Sequence, residues 1–225
     1  MKKYLTIFLT IVICMLLVVF YSILNKESIL IENFQNDNSS QTLFELTEYY
    51  KNNEDYLRFV EYSELLLFDA SYSFVEIDLK NTGYEYDILG MYDSYMQEYL
   101  IGCSYAYVGD EYIEKIVKGY KNFNNYGYAI TGVVDSIQEY YSIHSDVLVC
   151  IKAYDELLES ASHIVTKNSL VSHKYDFVLA NCDNEELIKE TAALSKVYED
   201  RKFKHMENAK KKGVGVEEYN NSIKP

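Results

Sequence analysis

The sequence predicts an all-α protein: a single N-terminal transmembrane helix followed by an antiparallel bundle of about four to six long helices. Three observations carry this expectation. The chain has one proline, at its last position, and nine glycines in 225 residues, so it lacks the turn punctuation of β proteins and lets helices run on. Apolar residues recur at threes and fours over long windows. The stretch "YLTIFLTIVICMLLVVFYSIL", residues 4 to 24, carries no charge.

Residues 1–24 read as a retained signal anchor. An apolar run of about 20 residues spans the ~30 Å hydrocarbon core, whereas the core of a cleaved signal peptide is usually ~7 to 15 residues long. Cleavage also needs small residues near the end of the run, and Tyr21, Ser22, Ile23 and Leu24 stand there. Ile13 before Cys14 does not fit a lipid-modified cysteine. Lys2 and Lys3 keep the N-terminus in the cytoplasm by the positive-inside rule, although Lys26 follows the run. The expected location is therefore the cell membrane, single-pass, with an extracytoplasmic C-terminal body.

About two hundred residues follow, enough for one domain with a real core. Residues 25–41 change from mixed apolar to an Asn/Asp/Ser cluster and read as a linker. The acidic helical-bundle domain is placed at 42–212. Thr42 and Glu45 form a capping box that opens a helix to about Leu79. Helices are expected at 85–108, broken by Gly109, and at 110–123, ended by "NNYG". The longest candidate starts near Ile130, and its apolar stripe runs through His144 and Leu158 to Val165. "HKYDFVLANC", 173–182, reads as a short helix or a strand-like connector. Asp183 and Glu186 cap a last helix that stops at Gly213, leaving 213–225 as a disordered tail. No internal repeat at fixed spacing emerges.

Charge and motifs narrow the function. Between residues 26 and 200 stand 12 basic and 32 acidic side chains, a net charge of −20, so nucleic acid is excluded as a partner because phosphate binding needs a basic surface. Cys103, Cys150 and Cys182 show no CxxC spacing, which removes a zinc ribbon or redox motif and leaves buried thiols or one disulfide. A di-metal carboxylate bundle needs Glu-x-x-His pairs, and none occurs. Asp155, Glu159 and His163 share a predicted helical face, but a solvated salt-bridging face explains them better than a cation site. No cofactor is expected.

His144 lies on the apolar stripe, where a hydrogen-bonded core histidine is the plain reading and a buried polar sensor the alternative. His144 and Cys150 offer no local nucleophile pairing, and no P-loop or G-x-S-x-G is present. No catalytic motif being found, the chain is expected not to be an enzyme. Tyrosine is abundant, 24 residues with no tryptophan, often beside an acid. These phenols would either fill bundle boundary positions or stud a binding face. At the C-terminal end, Arg201, Lys202, Lys204, Lys210, Lys211 and Lys212 exceed what the helix dipole needs and form a possible contact surface. The expected function is a membrane-anchored extracytoplasmic helical protein that binds or scaffolds a protein partner without catalysis. The alternative is a sensory or ligand-binding ectodomain for a small cation or cationic molecule.

Overall fold

The computed structural model describes residues 12, 25–78, 88–123 and 126–215. Among these residues the protein is all-helical, with nine α-helices, one 3-10 turn and no strand. None of the described helices is long and apolar enough to cross a membrane. Apart from Val12, which is helical, the expected anchor at 4–24 lies outside the described residues. So does the tail from residue 216 onward. The chain divides into two compact units, Met1–Glu85 and Tyr86–Pro225.

The first unit holds α1 (Lys26–Asp37), α2 (Ser40–Asn52), α3 (Tyr56–Phe68) and a 3-10 turn at Phe74–Glu76. Two expectations change here. Residues 26–37, read as linker, are helical. The predicted helix from Thr42 to about Leu79 is two helices, because Glu54 takes a left-handed backbone at φ 59° and Asp55 restarts the chain as an N-cap. The capping box also starts earlier. Ser39 Oγ accepts from the Thr42 amide at 3.3 Å, and Thr42 Oγ1 accepts from the Ser39 amide at 3.2 Å. Serine caps as well as threonine does, and Asn38 at φ 48° supplies the sharp turn that ends α1. Leu43, Leu46, Phe59, Val60 and Leu66 form the core. The segment after α3 is tied back onto α2, since the Ser73 amide donates to Ser40 Oγ and Ser40 donates to Glu76 at 2.7 Å.

The second unit contains α4 (Ile88–Ala106), α5 (Gly109–Asn122), α6 (Tyr126–His144), α7 (Val147–Ser160), α8 (Ile164–Asn181) and α9 (Glu185–Lys211). Helices adjacent in sequence run antiparallel. Tyr92 of α4 donates to the Asn122 carbonyl of α5, and Lys174 of α8 meets Asp155 of α7. Alternate helices run parallel: on α4 and α6, Leu100 contacts Ser136 and Tyr105 contacts Glu139. Three helical hairpins thus stack one on the next, as in helical-repeat arrays.

The stacking has a fixed register that the sequence reading missed. The helices Gly109–Asn122 and Val147–Ser160 begin and end 38 residues apart, and Glu185 begins the next after the same interval. Buried positions keep that offset: Met91 with Ala129, Tyr95 with Val133, Tyr99 with Ile137, Tyr112 with Cys150 and Ile116 with Tyr154. Side-chain sizes are exchanged within each pair, so the repeat lives in packing and not in residue identity.

The long rod expected from Ile130 to Val165 is broken at Ser145, which adopts φ 53°, and Asp146 restarts the chain by accepting from the Val149 amide at 3.1 Å. The chain breaks again after Ser160, where Ala161 is extended, so His163 lies off the helix that carries Asp155 and Glu159 and stands at the N-cap of the next. Residues 173–181 are helical, within α8. The cap of α9 is Asn184, one residue after the predicted Asp183, and its Oδ1 accepts from the Glu186 and Leu187 amides. The stop at Gly213 holds. Gly213 has φ 72°, its amide bonds to the Lys210 carbonyl and that of Val214 to the Ala209 carbonyl, a Schellman turn.

Candidate functional site

Two features collect the chemistry of the second unit: a buried seam of hydroxyls where α4, α5 and α6 meet, and the exposed tip of α9. Helix α4 approaches both neighbours closely through Leu100. A Cβ on Gly119 of α5 would stand 2.7 Å from Leu100 Cδ2, and one on Gly132 of α6 3.0 Å from Leu100 Cδ1. Just beyond this contact, Ser136 Oγ donates to the Leu100 carbonyl at 2.6 Å. Ser104 Oγ donates to the Ser136 carbonyl at 2.8 Å, and the Tyr112 hydroxyl lies 3.1 Å from Ser136 Oγ. All three side chains are buried. A buried hydroxyl costs free energy unless it is hydrogen-bonded, so the seam fixes how the first two hairpins register.

His144 closes this seam. Its Nε2 donates to the Ser104 carbonyl at 3.0 Å, and its ring lies 4.4 Å from that of Tyr140. Tyr140 stacks on Tyr112 at 4.2 Å and accepts from the Gly109 amide at 3.1 Å. The histidine is half-buried at the end of α6, and its ring bonds to backbone. It reaches a carbonyl and no nucleophilic hydroxyl. Burial holds the Tyr112 phenol well above its usual range, raises Tyr140 and Tyr154, and pushes the Cys150 thiol up to about 12. A thiol held in that state is a poor nucleophile. None of Cys103, Cys150 and Cys182 is in a disulfide.

Some of the tyrosines go deeper than boundary positions, while Tyr105 and Tyr128 are exposed. Tyr50, Tyr95, Tyr99, Tyr112, Tyr140 and Tyr154 rank among the largest fully buried side chains. Lys174 is another buried polar residue, 7% exposed, and its ammonium meets Asp155 Oδ1 at 2.6 Å. That pairing commits one of the carboxylates considered for a cation. Among the described residues no group of three or more His, Cys, Asp or Glu could hold a metal ion.

Arg201, Lys202, Lys204, Lys210, Lys211 and Lys212 all fall on the last three turns of α9 and its cap. Lys202 is half-buried and the other five are exposed, with Arg201 lying over the Tyr198 ring at 5.4 Å. Interleaved with them are two residues the sequence reading passed over, Phe203 at 65% and Met206 at 46% exposure. Together with Ala209 and Val214 they line an open groove of about 580 Å³ at the tip. The signal for it was present: Phe203 and Met206 stand in the same stretch as the six basic residues.

In the first unit, Glu27 of α1, Tyr50 of α2 and Arg58 and Tyr62 of α3 make a polar junction. Arg58 pairs with Glu27, Tyr50 donates to Glu27 at 3.2 Å, and the Tyr50 and Tyr62 rings stack at 5.4 Å. Burial first, and the Glu27 carboxylate second, push the Tyr50 phenol up to about 12. Beside this junction a cleft of about 440 Å³ is lined by Lys26, Phe44, Glu45, Glu48 and Tyr49, with the Lys26 ammonium 5.7 Å from the Tyr49 ring centre. Compared with known proteins, the chain shows no significant match to a family model, a curated protein or a solved structure.

Proposed function

We propose that the chain is a single-pass, membrane-anchored extracytoplasmic protein whose acidic helical body binds or scaffolds a protein partner without catalysis. The observation that carries this reading is the stack of three hairpins in one register, because such arrays present extended surfaces to partner segments. The net charge of −20 over residues 26–200 favours a basic partner surface. The hydroxyl seam favours a non-catalytic role, since its groups bond to one another and to backbone. The membrane attachment rests on the uncharged stretch at residues 4–24. The test is affinity purification of the full chain from membranes crosslinked in living cells. A reproducible heteromeric adduct is expected, and recovery only as a free monomer in every condition would contradict the reading.

A second reading is favoured by the cleft in the first unit. Its volume suits a small ligand. Glu45, Glu48 and the Tyr49 face suit a cationic one, and the Lys26 ammonium already lies over that face. Thermal shift against a panel of metals and amines tests it. A bound amine raises the melting temperature in step with its concentration, and a flat panel removes the idea.

A further inference from the structure

The tip of α9 differs from the rest of the body in sign and in polarity. From Arg201 to Lys212 the helix carries six Lys and Arg against the single acid Glu207, whereas residues 26–200 carry a net −20. Phe203 and Met206 stand exposed among these charges, and Val214 folds back over the buried Ala209 to complete an apolar groove. The last helix of a repeat array normally turns a polar face outward to keep it soluble. This one exposes an aromatic ring and a thioether within a basic surround, which is the pattern of segments that lie at a membrane interface.

We propose that the α9 tip docks onto an anionic lipid surface, with Lys and Arg against the headgroups and Phe203 and Met206 in the boundary below them. Charge complementarity selects this occupant. The acidic body is repelled by anionic lipid and the tip is attracted to it, so the two together orient the unit on the bilayer. The inference rests on the anchor reading for one point: a chain held in the membrane by residues 4–24 has lipid permanently at hand. A second copy of the chain, whose acidic faces would also attract the tip, is the competing occupant.

The chain contains no tryptophan, so Phe203→Trp places a unique fluorophore at an exposed position without disturbing the core. The full-length variant is reconstituted into neutral phosphatidylcholine vesicles and into vesicles with added phosphatidylglycerol. Docking predicts a blue-shifted emission, quenched by brominated acyl chains, in the anionic vesicles alone. High salt and the triple change Lys210→Glu, Lys211→Glu, Lys212→Glu are both expected to remove the shift, since screening shortens the reach of the charges to about 3 Å at 1 M. Identical emission in the two vesicle types, with the protein floating on both, overturns the docking and leaves the anchor standing. Failure to float with neutral vesicles overturns the anchor separately, and the shift in anionic vesicles still decides the docking. A blue shift that grows with protein concentration in detergent assigns the tip to a second copy and overturns the proposal.

Discussion

The two units close their helices by different chemistry. In the first, the junction of its three helices is made by an ion pair in which Arg58 is 49% and Glu27 38% exposed at the side chain. In the second, the first two hairpins are joined by Ser104, Ser136 and Tyr112, all buried, and by the ring of His144. Water competes with the first arrangement and is excluded from the three hydroxyls of the second. An exposed ion pair is worth little, because both groups are well solvated when apart, whereas a buried hydroxyl without its partner retains its full desolvation cost. The second unit is therefore expected to depend on single residues much more than the first.

The largest effect is predicted for Tyr112→Ala, which empties a fully buried ring site and removes the stack on Tyr140. A loss of about 3 to 5 kcal/mol is expected by chemical denaturation. Raising the pH comes next. Cys150 is raised from 9.0 to about 12 and Tyr50 from 10.0 to about 12 in the folded chain. Both groups bind their protons more tightly when folded, so their stabilisation is complete below the ordinary value and is lost as pH climbs through the folded one. Amide exchange should show the second unit weakening from about pH 9 and the first from about pH 10. Simultaneous weakening would remove that distinction.

Ser136→Ala is expected to cost about 1 to 3 kcal/mol, because the Leu100 carbonyl and the Tyr112 hydroxyl lose a partner. Glu54→Gly should stabilise the first unit by roughly 1 kcal/mol, since a glycine takes the left-handed turn at φ 59° without a Cβ penalty. The smallest effect belongs to Arg58→Gln, which is expected to leave the melting temperature nearly unchanged. A large drop there would erase the contrast between the units.

The helical class was legible because periodicity and the missing prolines report directly on backbone hydrogen bonding. The breaks were not legible where Glu54 and Ser145 take left-handed conformations, since neither residue advertises such a turn as Asn38 does. The 38-residue register escaped because its pairs exchange volume, as Met91 does with Ala129 and Tyr112 with Cys150. Ser104 and Ser136 look like polar interruptions of a helix until a facing helix supplies their partners. The basic tip was visible as a run of charges. Its apolar half, Phe203 and Met206, stands in the same stretch, and only their exposure sets them apart from a packed apolar line.

Everything proposed for function assumes that the helical body lies outside the cytoplasm. The direct measurement is protease digestion of intact cells producing the chain with a C-terminal tag. Loss of the tag without lysis, with the N-terminal fragment kept in the membrane fraction, is the predicted result. A tag protected until the cells are broken would contradict the account.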